Sequence, residues 1–277
     1  MSRMGKAGVL VISHGSRSTE WVKLVDGAVA DVRLDEPVPV VSSFLEIVEG
    51  RLIQDGIDAL EAEGVTDLIV VPLFVSKGST HVDEIRYALG DLPAPSTETD
   101  LEPFRVMARV HMCEPLDDDP IVADMVLERL RGLSSRPDRE RVLLVGHGSE
   151  LPEFYARWKR GMGGVADRLR EAGGFADVRT ALLLPDETRD AMRDWLADDP
   201  DGDILVAPLF LSTGYFTEQV IPQRLEGFRY RYDGAALLPH PSVSRWMERT
   251  AGEALRRLSG STVQIDGGMG RWRNGPD

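Results

Sequence analysis

Cysteine is almost absent from this chain of 277 residues, which has Cys113 as its single copy. One thiol excludes internal disulfides, cysteine-rich zinc sites and any iron–sulfur cluster held only by cysteines of one chain. We therefore expect no iron–sulfur cluster. We also expect the chain to work in the reducing cytoplasm, where proteins rarely use disulfides.

Positive charge and long hydrophobic runs are scarce as well. The 32 lysines and arginines are outnumbered by 46 aspartates and glutamates, which gives a net charge of −14. This balance excludes a nucleic-acid binder with a basic face, and it argues against an anionic membrane as a partner. The longest apolar run, Leu68 to Val75, contains Pro72 and is too short to cross a bilayer. We interpret the acidity as a solubility feature, with a high-salt habitat as the alternative.

Short apolar runs alternate with amphipathic stretches along most of the chain. Val9–Ser13 and Asp67–Val75 are predicted to be buried strands, whereas Thr19–Arg33 carries apolar residues at helical spacing. Hydrophobic residues make up 42% of the chain, which is enough for a packed core. Uniformly apolar strands between helices predict an α/β fold whose parallel sheets carry helices on both faces.

The chain contains an internal duplication. The segment VLLVGHGSE at 142–150 matches VLVISHGSR at 9–17, and DILVAPLFLSTG at 203–214 matches DLIVVPLFVSKG at 67–78. The two matches are offset by 133 and 136 residues, so the repeat is a whole domain rather than a solenoid unit. We predict domains at 1–133 and 141–259, each with about four strands, a linker at 134–140 and a loose tail at 260–277.

Three strand ends of the first half carry reactive side chains. His14 follows the first strand, Glu46 ends the second, and His81 lies in the polar loop after the third. Ligands of parallel sheets bind beyond the carboxyl ends of the strands, so these groups are predicted to line one cleft. Two imidazoles suit a borderline divalent metal, and a carboxylate can accept protons. Helix capping or a core hydrogen bond is the alternative role for each histidine.

The second half retains only part of this set. His147 matches His14, but the predicted counterpart of His81 is Thr217, and that of Glu46 falls within 179–182, where no carboxylate occurs. We interpret this asymmetry as one working site in the first half, with the second half as the wall of the cleft. Independent drift of surface residues is the alternative.

Several motifs resemble the sirohydrochlorin chelatase family, the ATP-independent class II chelatases of cobalamin and siroheme synthesis. The motifs are HGSR at 14–17, FLE at 44–46, VVPLFVSKGSTHVDEI at 70–85 and PLDDDPIVADMVLERL at 115–130, and the duplicated layout is similar to the long form of the family. The resemblance implies two tandem flavodoxin-like lobes that face a central cleft. It also implies insertion of a divalent metal into a tetrapyrrole, with His14 and His81 as metal ligands and Glu46 as the catalytic acidic residue.

The resemblance implies cobalt or iron as the substrate metal, with nickel possible, and no use of ATP. For a substrate rich in carboxylates, Arg17 and Lys77 are candidate binding residues, as are Arg157 and Lys159. Tyr215 and Phe216 are candidates to stack on the macrocycle, and packing against the other lobe is the equal alternative. We expect a monomer or a homodimer.

Other functions and residues stay open at this point. A non-catalytic carrier of metal or tetrapyrrole on the same scaffold is the main alternative, and phosphate chemistry at the HGS turn ranks below it. Glu49 could replace Glu46 as the working carboxylate. We interpret the run from His111 to Cys113 as a strand end with a buried thiol, His240 as a turn residue before a helix, and Glu84 as a first-turn helix acid.

Overall fold

The computed structural model describes residues 5–266 of the chain, with side chains through residue 260. It confirms the α/β fold, with one parallel sheet in each half. The first sheet has the strand order β2-β1-β3-β4 and the second has the order β6-β5-β7. The strands are β1 (Ala7–Ser13), β2 (Val40–Phe44), β3 (Asp67–Pro72), β4 (Arg109–Met112), β5 (Glu140–Gly148), β6 (Asp177–Leu184) and β7 (Asp203–Pro208).

Helices cover both faces of each sheet, as the uniformly apolar strands require. All six residues of β3 are buried, and so are five of the six in β7. The helices are α1 (Thr19–Ala30), α2 (Ile53–Ala62), α3 (Thr80–Ala88), α4 (Pro120–Leu133), α5 (Pro152–Gly173), α6 (Thr188–Asp198), α7 (Ile221–Arg224) and α8 (Pro241–Asp266), with a 3₁₀ turn at Pro137–Arg139 and a π-helical turn at Phe216–Val220. None of the helices described here combines the length and apolar character that a membrane crossing requires.

The second sheet is smaller than predicted, with three strands instead of about four. The chain does return beside β7, but there it makes an isolated bridge between Leu205 and Arg231 instead of a full strand. The backbone of Arg231 donates to the Ile204 carbonyl and accepts from Val206, both at 2.9 Å. This bridge, with its two hydrogen bonds, lies where the first sheet has its fourth strand, β4.

The two halves share one core. A continuous cluster of buried side chains includes Val71 of the first sheet, Trp158 of α5 and Trp246 of α8. The last helix of each half packs on the other half, because α8 contacts β3 and α1 while α4 contacts β7 and α5. The predicted boundary at residues 134–140 therefore divides the sequence, while the packing joins the halves into one body.

Glu140 fixes the connection between the halves. Its side chain is fully buried at the start of β5 and accepts from Arg231 at 2.6 Å, from Ser134, and from the backbone N–H groups of Ser135 and Arg136. Burial alone raises the pKa of a carboxyl group, but these donors outweigh it and lower the pKa of Glu140 to about 2. The charged carboxylate thus ties the linker to the chain segment beside β7.

The predicted tail does not begin at residue 260. Helix α8 continues to Asp266, so residues 260–266 belong to that helix. The rest of the predicted tail, residues 267–277, lies outside the described residues.

Candidate active site

The carboxyl ends of β1 and β5 open onto one cleft of about 910 Å³ that both halves line. His14 and His81 line it from the first half, and His147 and Phe216 from the second. Its apolar lining includes Trp21, Leu24, Phe74, Trp158 and Phe210. The cavity is within the size range of protein sites for small molecules and cofactors.

His14 is oriented by a glycine turn at the end of β1. Gly15 has φ +101°, and a Cβ there would lie 2.1 Å from the Glu46 carbonyl oxygen, so the turn accepts only glycine. The His14 Nδ1 lies 3.1 Å from the Gly15 carbonyl oxygen. A carbonyl only accepts, so Nδ1 carries the proton and Nε2 is left with a free lone pair. That Nε2 atom lies 3.5 Å from Oε1 of Glu46.

His81 joins His14 from the first turn of α3. The two imidazole centroids are 4.7 Å apart, and the ring planes meet at 71°. The structure thus brings together the two histidines that the sequence predicted for one cleft. Glu46 contacts His14 with about half of its side chain exposed, but it is not one of the residues that line the cleft. Glu49, the alternative, is exposed nearby.

Glu84 is a site residue that the sequence analysis did not select. Its Oε2 atom accepts a hydrogen bond from Nδ1 of His81 at 3.1 Å, and only 16% of its side chain is exposed. This bond leaves the His81 Nε2 lone pair for a metal, the usual role of a carboxylate behind a metal-binding histidine. The i,i+3 spacing on α3 was the signal that could have identified it.

The described residues contain no ready-made cage of three or more His, Cys, Asp or Glu side chains for a metal ion. The first half instead offers two imidazoles, whose Nε2 atoms carry lone pairs in the neutral rings, and the Glu46 carboxylate 3.5 Å from one of them. Such an incomplete set leaves open positions on a bound metal, which suits a metal that is passed on.

The second half repeats the turn around the histidine but not its partners. His147 Nδ1 donates to the Gly148 carbonyl at 3.1 Å, and Gly148 has φ +84°. The ring beside His147 is Phe216, with a centroid distance of 4.8 Å and an interplanar angle of 80°. Phe216, and not Thr217, therefore occupies the position of His81. The prediction for Thr217 was wrong, because this residue is buried and its hydroxyl donates to the Gly214 carbonyl.

Strand pairing also corrects the predicted counterpart of Glu46. Ser13 of β1 pairs with Phe44, and Gly146 of β5 pairs with Leu182. Two residues beyond each partner lie Glu46 and Leu184, and the Gly148 turn packs on the Leu184 carbonyl as the Gly15 turn packs on that of Glu46. The counterpart is thus Leu184 rather than a residue within 179–182. The second half therefore has a leucine, and no carboxylate, at the position of Glu46.

The structure does not bring the predicted basic residues into the cleft. Lys77 lines a separate cavity of about 550 Å³, and its Nζ lies 3.3 Å from Glu114 and 3.9 Å from Asp117. Arg157 pairs with Asp83 and Glu153, Lys159 pairs with Glu187, and Arg17 is exposed outside the lining. Of the described residues that line the cleft, none is lysine or arginine. Tyr215 and Phe216 do line it, and Tyr215 is 64% exposed.

Polar groups in the cleft are hydroxyls and the first turns of helices. The caps of α1 and α3, Ser18 and Ser79, both line it, so the positive ends of two helix dipoles lie at its wall. Nine serines and threonines line the cavity: Ser16, Ser18, Ser76, Ser79, Thr80, Ser149, Ser212, Thr213 and Thr217. Three glutamates, Glu20, Glu150 and Glu218, add negative charge there.

The residues set aside in the sequence lie away from the cleft. His111 Nε2 donates to Asp67 at 3.0 Å, and burial raises the pKa of the Cys113 thiol to about 11. His240 precedes α8, where its Nδ1 atom accepts from the backbone of Ser242. These contacts agree with structural roles for all three residues.

Comparison with known proteins gives the family. The CbiX profile matches residues 8–133 and 141–254. A protein of Halobacterium salinarum named probable sirohydrochlorin cobaltochelatase is 29% identical over 170 residues, and the match spans 57% of this chain and 56% of that protein. Sirohydrochlorin cobaltochelatase of Methanothermobacter thermautotrophicus is 30% identical over 132 residues, which span 46% of this chain and 92% of that enzyme.

A solved structure, SirB from Bacillus subtilis with Fe3+, has the same fold. It superposes with a TM-score of 0.71 at 23% identity and covers 92% of this chain and 98% of that one. The profile match includes most of both halves, the two parallel sheets agree with it, and the chain belongs to the CbiX family.

Proposed function

We propose that this chain is an ATP-independent sirohydrochlorin chelatase that inserts a divalent metal, cobalt or iron, into the macrocycle for cobalamin or siroheme synthesis. The observation that supports this most is the pair of imidazoles, 4.7 Å apart, whose Nε2 atoms are free in a cleft of about 910 Å³. Nickel has the same ligand preferences and is a third candidate metal.

In this proposal His14 and His81 bind the incoming metal through Nε2. The Gly15 carbonyl and the Glu84 carboxylate hold the two rings by their Nδ1 atoms, so neither imidazole has to reorganise as the metal arrives. With two protein ligands the metal keeps open positions, and the pyrrole nitrogens can replace its remaining ligands one after another.

Glu46 is the proposed proton acceptor on the metal's side of the ring. It lies 3.5 Å from the His14 Nε2 atom, so its charge balances the metal and its carboxylate is within reach of a water beside the ring. Its half-exposed position gives an accepted proton a path to solvent.

The carboxylates of the substrate have hydroxyls and helix N-termini as partners, since no lysine or arginine within residues 5–260 lines the cleft. The N–H groups behind Ser18 and Ser79 carry partial positive charge that an anionic group can use. Glu20, Glu150 and Glu218 in turn attract a divalent cation to the same opening.

We place this reaction in the cytoplasm, where the single cysteine stays reduced. One chain supplies residues of both halves to the cleft, which supports a monomer as the working unit, with a homodimer of such units as the alternative. Residues 1–133 carry the proposed active site, and residues 141–259 form its wall.

A turnover assay tests the proposed function. The purified chain is mixed without ATP and without oxygen with excess sirohydrochlorin and Co²⁺, and the absorption spectrum is followed. We expect many equivalents of metallated product per chain, at a rate above that of the protein-free mixture. A spectrum that stops changing after one equivalent identifies a carrier, and a rate equal to the background contradicts the proposal.

A further inference from the structure

The cleft contains a third imidazole, His147, to which the proposed metal site gives no role. Its ring lines the same cavity as His14 and His81 but comes from the other half of the chain. The hydrogen bond from its Nδ1 atom to the Gly148 carbonyl leaves Nε2 with a free lone pair, as in His14.

The chain maintains the orientation of this ring by the same local structure as in the first half. Gly148 and Gly15 both have positive φ. A Cβ atom at either position would lie 2.1 to 2.2 Å from a carbonyl oxygen, so both turns require glycine. The serine two residues after each histidine accepts a backbone N–H in both halves, in the pairs Ser16 with Ser18 and Ser149 with Leu151. The imidazole is therefore positioned equally well in the two halves.

The surroundings of His147 do not make a metal site. Phe216 occupies the place of the second imidazole, and Leu184 that of the carboxylate. A single imidazole with two apolar neighbours competes poorly for a divalent cation against His14 and His81. It can still accept a proton, since this needs only the Nε2 lone pair.

Metal insertion releases two protons, and the shape of the ring decides where they go. A nitrogen that has lost its proton directs its lone pair at a metal on the side of His14, while a nitrogen that still carries hydrogen can direct its N–H to the other side. Glu46 contacts His14 and serves the metal's side of the ring. A group from the second half has to serve the other.

We propose that His147 is a second catalytic base, which removes a pyrrole proton on the face of the macrocycle opposite to the metal. The N–H bond breaks with its electron pair left on nitrogen, which then donates that pair to the metal. The proton forms a bond to Nε2 of His147, and the imidazolium passes it to solvent. This inference rests on the proposed function.

The test compares three variants under the turnover conditions given above, with Co²⁺ affinity measured separately by calorimetry in the absence of tetrapyrrole. His147→Ala is expected to slow insertion by about 100-fold, in the range of general base catalysis, and to bind Co²⁺ as tightly as the unsubstituted chain. Added imidazole is expected to restore much of its rate. His147→Phe keeps a ring against Phe216 and is expected to be equally slow. His240→Gln, which removes an imidazole of the second half that does not line the cleft, is the control and is expected to keep its rate.

The outcomes separate this inference from the function on which it rests. Insertion at the unsubstituted rate by His147→Ala or His147→Phe overturns the base role alone. A loss of Co²⁺ affinity equal to that of His14→Ala also overturns it, since His147 is then a metal ligand. Failure of imidazole to restore the rate assigns His147 to packing. Absence of turnover by the unsubstituted chain overturns both proposals.

Discussion

The two halves of the molecule share one turn around a histidine but differ in the side chains that surround it. In each half a strand ends in a histidine whose Nδ1 atom donates to the next glycine carbonyl. In the first half the neighbouring ring is His81, at 4.7 Å, and in the second it is Phe216, at 4.8 Å. The backbone and the ring packing are thus shared by both halves, whereas the proposed metal-binding pair occurs only in the first. Fold and chemistry depend on different atoms.

The exchange of α4 and α8 between the halves gives the second half a structural role besides that of the cleft wall. Each half buries a helix of the other, so removal of either half exposes apolar surface of both. The wall of the cleft is thereby fixed relative to the site on the other side. A divergent second half still contributes rigidity.

His81→Phe gives the first half the ring pair of the second and is expected to have the largest effect. A phenylalanine fits, because Phe216 packs on His147 in the same edge-on way. One of the two proposed metal ligands is lost, so we expect insertion to fall by at least about 100-fold while the melting temperature changes little. The measurement is the turnover assay together with a thermal unfolding curve.

The control for this variant is His111→Gln, which removes an imidazole outside the cleft while keeping a donor for Asp67. It is expected to retain its insertion rate. Normal turnover in His81→Phe would show that His14 alone supplies the metal, and the two halves would then not differ in the way described.

The convergence of His14, Glu46 and His81 was predictable, because parallel strands end at one edge of a sheet. The counterpart of His81 was not. A π-helical turn begins at Phe216, whereas α3 begins as an ordinary helix at Thr80, so side chains at equal sequence offsets occupy different positions. The partner of Glu46 was missed for a related reason, since α5 has 22 residues and α1 has 12.

The direction of side chains in loops was also not predictable from the sequence. Lys77 follows the third strand and was placed in the cleft by sequence proximity alone. Its backbone N–H donates to Asp117, and its ammonium group turns to the same acidic cluster on the far side of the loop. The partner, Asp117, lies 40 residues away, so no local pattern indicated this contact. No local pattern indicated either that the chain beside β7 makes a single bridge instead of a fourth strand.

Glu84→Gln tests a contact that only the first half has, and its effect should be intermediate. The neutral amide keeps the shape of the side chain but no longer places a negative charge on Nδ1 of His81. Loss of such a carboxylate behind a metal ligand costs about 10- to 100-fold in metal affinity. We expect Co²⁺ to bind about 10-fold more weakly, as measured by calorimetry.

Glu20→Gln is the matched control, because it removes the same charge from an exposed residue of the cleft that pairs with Lys23 at the surface. An equal loss of affinity in both variants would assign the effect to the overall charge of the cleft instead of to the orientation of His81.

Phe216→His makes the reciprocal change and should have the smallest effect on turnover. It places a second imidazole beside His147, at the spacing that the first half uses for its metal pair. Leu184 stands where the first half has Glu46, so the new pair lacks that carboxylate. We expect calorimetry to resolve a second equivalent of Co²⁺, bound about 10- to 100-fold more weakly than the first.

At metal concentrations that fill only the first site, insertion should change by less than about twofold. At concentrations that fill both, a metal on His147 would occupy the lone pair that the second base needs, so the rate should fall again. A single equivalent of bound metal would mean that the carboxylates, and not the paired rings, decide which half binds it.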